Sequence, residues 1–133
     1  MRYLGVDYGE RRVGIAVSDE EGKIAFPQRT VSVRSMREAV AAVRSVVKEQ
    51  RVATVVVGMP EGLGGRDTMQ TKRVRAFIRV LQRGLSVPIE TENELLTTRL
   101  AVAAGGKKEL RDASAAAIML QSYLDKNQMT KNK

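Results

Sequence analysis

The stretch LGVDYGERRVGIAVSD, residues 4–19, decides the fold of this chain of 133 residues. Apolar residues recur at every second position on both sides of a short connection that contains a glycine. That period is typical of β-strands with one face in a core. Because a tight connection joins neighbouring antiparallel strands, the stretch predicts a β-hairpin. Its strands are expected at Tyr3–Asp7 and Arg12–Ser18.

Beyond the hairpin, the sequence predicts one more strand and then alternating helices and strands. Pro27 interrupts the third predicted strand, Lys23–Val33, which indicates an edge strand or a β-bulge. Ser35 and Glu38 have the spacing of a capping box at the start of a helix. The further predicted elements are a helix over Arg37–Gln50, a strand over Val52–Val57, a helix over Asp67–Arg83, a strand over Val87–Glu90, and helices over Glu94–Ala104 and Asp112–Lys126. The order βββαβαβαα predicts an α/β fold, a mixed sheet with helices on both faces.

Length and composition exclude several classes of protein. The length predicts one domain, residues 1–126, followed by a polar tail, residues 127–133. The chain contains no cysteine and no histidine, which excludes disulfides, thiolate or imidazole metal sites and a histidine base. No signal peptide and no apolar run of about 20 residues is found, so we expect a cytoplasmic protein without a membrane partner. With 23 basic and 15 acidic residues the net charge is +8, which favours nucleic acid as partner.

Three acidic residues lie at the ends of predicted elements. Asp7 closes the first strand, while Glu94 and Asp112 begin the last two helices. In α/β sheets, ligands bind beyond strand ends, and carboxylates gathered there need a cation to neutralise them. Oxygen ligands without histidine or cysteine suit Mg²⁺ or Mn²⁺. Each residue also has a structural alternative: Asp7 as a turn residue, Glu94 as a partner of a helix dipole, and Asp112 as an N-cap.

Basic residues occur in three places where they could contact phosphate. One group forms a stripe on the helix over Asp67–Arg83, for which a solvated helix face is the alternative explanation. The other two groups lie on the turn beside Asp7 and just before Asp112. The candidate nucleic-acid-binding residues are Lys72, Arg75, Arg79 and Arg83 in the stripe, Arg11 and Arg12 on the turn, and Lys107 and Lys108. With few aromatic residues in the chain, contact with the backbone is favoured over base readout.

Four segments in order resemble one known family. They are residues 4–19, 55–60, 93–101 and 112–124. Together they are similar to the signature blocks of the YqgF (RuvX) family, small bacterial proteins of RNase H-like fold. Members are described as Holliday-junction resolvases and as nucleases of pre-16S rRNA. The resemblance implies that Asp7, Glu94 and Asp112 occupy the three acidic positions that bind divalent metal.

The third block departs from the family pattern. The family usually has aspartate, glutamate and arginine where this chain has Asn93, Glu94 and Leu95. The glutamate is retained, whereas the neighbouring negative charge and the arginine are lost. This puts in doubt the affinity or preference for substrate, and Glu92 is a nearby carboxylate that could compensate.

We therefore expect a Mg²⁺- or Mn²⁺-dependent nuclease of structured nucleic acid. Asp7, Glu94 and Asp112 would hold one or two cations, and a cation activates water without a histidine base. Processing of the 5′ end of pre-16S rRNA is the favoured role. Holliday-junction resolution and a non-catalytic binding factor remain alternatives, and the protein could be a monomer or a homodimer. A hairpin of this kind also occurs in actin-like ATPases and sugar kinases, but those enzymes need a second domain.

Overall fold

The computed structural model describes residues 1–60, 67–93 and 108–131, with side chains in the last segment for residues 112–128. The elements are β1 (Tyr3–Tyr8), β2 (Arg12–Ser18), β3 (Ala25–Ser32), α1 (Met36–Glu49), β4 (Thr54–Met59), α2 (Met69–Arg83), β5 (Ile89–Asn93) and α3 (Lys108–Lys131). The predicted helix over Glu94–Ala104 lies outside the described residues. In the part of the chain that is described, no helix is long and apolar enough to cross a membrane.

The predicted hairpin forms the middle of a five-stranded sheet with the order β3-β2-β1-β4-β5. β1 and β2 pair antiparallel, and Asp7 lies opposite Gly14. On its other side β1 pairs with β4 in parallel, and β4 pairs in the same way with β5. The sheet is therefore mixed, as predicted, and β1 is its central strand.

Helices cover both faces of this sheet, which confirms the predicted α/β architecture. α1 and α2 pack on one face, where valines dominate and Phe77 and Leu81 are fully buried. α3 packs on the opposite face, with Met119, Leu120 and Leu124 against Tyr3 and small residues of the strands. The sheet thus separates two distinct cores.

Both structures predicted from Pro27, an edge strand and a β-bulge, are found in the third strand. β3 is an edge strand, where a residue without an N–H group costs no ladder hydrogen bond. The register with β2 also shifts between Ile15 and Ala16, and Ala16 lies opposite Pro27. Proline is therefore tolerated here for two reasons at once.

Several predicted boundaries were wrong, most clearly in the last helix. α3 begins at Lys108 rather than Asp112 and continues to Lys131 rather than ending at Lys126. The start of the predicted polar tail is therefore helical. Tertiary contacts support the extension: the Asn127 amide donates to Tyr3 Oη at 3.3 Å, and the Gln128 amide donates to the Gly22 carbonyl at 3.4 Å.

The last strand was also predicted too early in the chain. β5 covers Ile89–Asn93, not Val87–Glu90, because its parallel pairing with β4 runs from Ile89 opposite Val55 to Asn93 opposite Met59. Its end is therefore level with the end of β4.

Candidate active site at the end of the central strand

Asp7 lies near the end of β1 on the sheet face that α3 covers. Leu4, Val6 and Tyr8 belong to the core under α1 and α2. Since side chains alternate along a strand, Asp7 shares the opposite face with Gly5, which lies against Leu120 of α3. Asp7 is half-buried there.

Gly14 brings Asp112 to this place. It lies opposite Asp7 in the β1–β2 ladder, and a Cβ at Gly14 would be 2.1 Å from the carbonyl oxygen of Asp112. Any larger side chain would therefore keep α3 away from the sheet. Because glycine occupies this position, the backbone of α3 approaches the hairpin directly beside Asp7. The structure thus sets the backbone of Asp112 next to Gly14, which lies opposite Asp7 in the sheet.

Arg12 orients the carboxylate of Asp112. Its Nε donates a hydrogen bond to Asp112 Oδ2 at 2.8 Å. The side chains of Arg12 and Asp112 are 38% and 28% exposed, so the pair is partly shielded from water. Arg12 was predicted as a phosphate contact, and its role as the partner of Asp112 was missed because the two residues are far apart in sequence. The alternative of Asp112 as an N-cap is wrong, since α3 begins at Lys108.

α2 holds the hairpin turn from the other side. The Gln70 side chain donates to the carbonyl of Tyr8 at 2.8 Å, and Arg73 pairs with Glu10 at 2.9 Å. The ring of Tyr8 stacks on Phe77 with centroids 4.3 Å apart. Burial, and secondly the charge of Glu10, raise the pKa of the Tyr8 hydroxyl. Three contacts therefore fix the turn that follows Asp7, and the sequence analysis identified none of them.

The described acidic side chains of the site are of the type that binds a hard cation. Asp7 and Asp112 supply carboxylate oxygens, the ligand type that Mg²⁺ and Mn²⁺ prefer. The third expected ligand, Glu94, lies outside the described residues. Among the residues that the structure does describe, no cluster of three acidic side chains exists that could hold a metal ion. In the present arrangement, Arg12 supplies the positive charge next to Asp112.

Glu92 has a different role from the one considered for it. It is 8% exposed, and its Oε2 accepts hydrogen bonds from Ser122 Oγ at 2.9 Å and from Lys126 Nζ at 2.7 Å. Both partners belong to α3, so Glu92 ties β5 to that helix. These contacts give Glu92 a structural explanation that does not involve metal.

The predicted basic stripe lies on α2, on the face of the sheet opposite to Asp7 and Asp112. Arg75 makes two hydrogen bonds to the carboxylate of Asp67, which lower the pKa of Asp67. Lys72 and Arg79 are exposed. Binding of nucleic acid by this stripe stays a prediction. Of the other basic residues, Arg11 is exposed, Lys107 lies outside the described residues, and Lys108 is the first residue of α3.

Comparison with known proteins identifies the family. A family model for RuvX, described as Holliday junction resolvase, matches residues 1–126. The chain belongs to the RuvX family. A relative from Oleidesulfovibrio alaskensis is 41% identical over 94% of this chain and 92% of its own length. Another RuvX-like relative, from Anaeromyxobacter sp., is 37% identical over 94% of this chain and 97% of its own length. Both bear the name "Putative pre-16S rRNA nuclease".

Solved structures confirm the RNase H-like fold expected of a RuvX protein. RuvC from Thermus thermophilus, in complex with a Holliday junction substrate, matches with a TM-score of 0.62. The match covers 96% of both chains at 17% identity. The fowlpox virus resolvase, in complex with Holliday junction DNA, matches with a TM-score of 0.62 at 10% identity, covering 96% of this chain and 99% of the other. At such identities, the likeness establishes the fold.

Proposed function

We propose that this RuvX-family protein is a divalent-metal-dependent nuclease that processes the 5′ end of pre-16S rRNA. The observation that carries the proposal is the contact between Gly14 and the backbone of Asp112. This contact sets the backbone of Asp112 against the ladder partner of Asp7, which supports a shared site for the two residues. The proposal treats residues 1–126 as one nuclease domain, and the family match over the same residues supports this.

The residues of the site have separate tasks in this proposal. Asp7 and Asp112, together with Glu94, hold Mg²⁺ or Mn²⁺. The cation supplies the positive charge that stabilises the scissile phosphate during hydrolysis. Arg12 neutralises Asp112 before the metal arrives, and its guanidinium is then available to a phosphate of the substrate. Gln70 and Arg73 keep the turn after Asp7 in place, because both bind that turn directly.

We propose RNA rather than branched DNA as the substrate because of the names that the relatives bear. Two relatives with 37% and 41% identity bear a name that refers to pre-16S rRNA. Such a substrate would place the protein in the bacterial cytoplasm. The description of the family model favours a second candidate, resolution of Holliday junctions, which would require a dimer for symmetric cleavage.

The test is cleavage of a labelled pre-16S rRNA fragment beside a synthetic four-way DNA junction. Each substrate is incubated with Mg²⁺, with Mn²⁺ and with chelator. Asp7→Asn and Asp112→Asn remove one metal-binding charge each, and we expect both variants to lose RNA cleavage. Asp125→Asn is the matched control, since Asp125 is an exposed acid on the same helix as Asp112.

Each outcome selects one function. Metal-dependent cleavage of RNA that both site variants lose and Asp125→Asn retains supports the proposal. Cleavage of the junction alone would replace it by junction resolution. Binding of RNA in chelator, without cleavage of either substrate at any metal concentration, would identify a non-catalytic binding factor and overturn the proposal.

A further inference from the structure

A groove lies between α1 and the end of α2, on the sheet face opposite to the candidate active site. Its first part is a cavity of about 530 Å³ lined by both helices, from Met36 and Arg37 to Arg83 and Gly84. A second cavity of about 470 Å³ shares Arg44 and Gly84 with the first and extends to Val87. The two cavities therefore form one continuous groove, which we call the α1–α2 groove.

Cations line this groove along its whole length. Arg37, Arg44 and Lys48 follow one another on α1, Arg51 comes just after the helix, and Arg83 faces them from α2. All five are exposed. Among the described residues, no carboxylate lines either cavity. Within residues 1–60, 67–93 and 112–128, none of these five side chains forms an ion pair.

One contact shapes the floor of the α1–α2 groove. The Nε of Arg44 donates a hydrogen bond to the carbonyl of Gly84, the C-cap of α2, at 3.1 Å. A Cβ at Gly84 would be 2.1 Å from the Arg44 guanidinium, so glycine makes room for this side chain. Arg44 therefore joins the helices, while the other four cations stay available to a ligand.

We propose that the α1–α2 groove binds the sugar-phosphate backbone of a second segment of the RNA substrate. From Arg37 to Lys48 the helix rises about 17 Å at 1.5 Å per residue. One strand of a DNA duplex carries about five phosphates over that length, and an RNA strand is a polyanion of the same kind. A row of cations uninterrupted by acids matches such a uniform polyanion. The inference rests on the proposed nucleic-acid substrate, although not on its cleavage.

The lining of the groove favours a sugar-phosphate backbone as the ligand over stacked bases or an acidic protein. Val40 and Val80 contribute aliphatic surface, and the described lining of both cavities contains no aromatic side chain. Stacking of bases would need aromatic platforms. An acidic protein would present carboxylates at a few points, whereas here the cations are spread over the entire groove. A structured RNA could therefore occupy both faces of the molecule, with one segment at the candidate active site and another in the groove.

The experiment measures binding of a fluorescent pre-16S rRNA hairpin by the full-length protein in chelator, where no cleavage occurs. The variant Arg37→Gln/Lys48→Gln removes two groove charges that have no partner among the described residues. The control Lys23→Gln/Arg29→Gln removes the same charge from two exposed side chains that line neither cavity and that pair with Glu21 and Glu49. Affinity is measured between about 50 and 200 mM salt.

We expect the groove variant to bind about tenfold more weakly, and its salt dependence to fall by about two units of slope. The control should change far less. Equal effects in both variants would overturn the inference. Unchanged RNA affinity together with lost binding of polyglutamate would overturn it as well and would identify the groove as a site for acidic proteins.

A cleavage assay keeps the two proposals apart. If the wild type cuts no RNA but the groove variant still binds RNA more weakly than the control, the groove inference stands and the proposed nuclease function fails. If the wild type cuts RNA and the groove variant binds and cuts like the control, only the groove inference fails.

Discussion

The two faces of the sheet are covered in different ways. Under α1 and α2, branched and aromatic side chains interdigitate, and the helices are held away from the strands by those side chains. Under α3, Gly5 and Gly14 let the helix backbone come close to the strands. A packed face tolerates small shifts, because many side chains share the contact. A face on which a helix backbone lies close to the strands does not tolerate such shifts. Asp7 and Asp112 lie on this second face.

The largest effect is expected from Gly14→Ala, which adds a side chain at the point where the backbone of α3 approaches β2. The new methyl group would overlap the backbone of Asp112, so α3 must move away from the sheet. We expect a loss of about 3 kcal/mol or more in the free energy of unfolding, together with loss of metal-dependent RNA cleavage. Urea unfolding and the cleavage assay measure the two effects.

Gly5→Ala is the control for this variant. A Cβ at Gly5 would be 2.9 Å from Leu120 Cβ and 3.0 Å from the Ala116 carbonyl, so the conflict is milder. Its stability and cleavage should lie between those of the wild type and Gly14→Ala. Full cleavage by Gly14→Ala would show that the position of Asp112 does not depend on this contact.

The second prediction tests the packed face through Leu81→Ala. Leu81 lies on α2 and is fully buried. Its truncation should cost about 2–5 kcal/mol in the free energy of unfolding. Cleavage per folded molecule should nevertheless stay close to that of the wild type, because Leu81 lies about two to three turns along α2 from Arg73 and Gln70, which hold the turn after Asp7. Activity at low temperature, normalised to the folded fraction, measures this. A selective loss of cleavage would contradict the separation of the two faces.

The third prediction concerns the contact that ties β5 to α3. Glu92→Gln keeps an oxygen that can accept from Ser122 but removes the charge that pairs with Lys126. We expect a loss of about 1 kcal/mol in the free energy of unfolding, measured with urea. Ser114→Ala on α3 is the control, because among the described residues the Ser114 side chain makes no hydrogen bond to β5. If Glu92→Gln lost metal binding while remaining as stable as the wild type, Glu92 would be a ligand rather than a tie.

The same contrast explains what could be predicted from the sequence. The hairpin follows from a local pattern, and so do the proline at the sheet edge and the helices on both faces. The start of α3 does not, because an aspartate at an N-cap and one inside the first turns of a helix look alike in sequence. The contact between Gly14 and Asp112, and the pair of Arg12 with Asp112, join residues about a hundred positions apart. No local pattern reports such contacts. The α1–α2 groove likewise needs the end of a second helix, although the cations on α1 are visible in the sequence.

The smallest expected effect is a dependence of stability on pH at the β2–β3 turn, which follows the end of β2 opposite to Arg12. Asp19 Oδ1 accepts hydrogen bonds from the backbone N–H groups of Ile24 and Lys23 at 3.0 and 2.8 Å. These bonds lower the pKa of Asp19. A carboxylate with a lowered pKa in the folded state stabilises the fold above its unfolded-state pKa, and this contribution is lost as the pH falls through the folded-state pKa.

Asp19→Asn keeps the acceptor oxygen but does not titrate. The wild type should therefore be slightly more stable than Asp19→Asn near pH 7, and the difference should shrink as the pH is lowered below about 4. Urea unfolding across this range measures it. Glu21→Gln, an exposed acid in the same turn, is the control and should show no such trend. A difference that grew on acidification would mean that the turn is held by something other than the charged carboxylate. Cleavage should be unaffected throughout, because this turn contacts α3 at Gln121 and Gln128, more than two helical turns from Asp112.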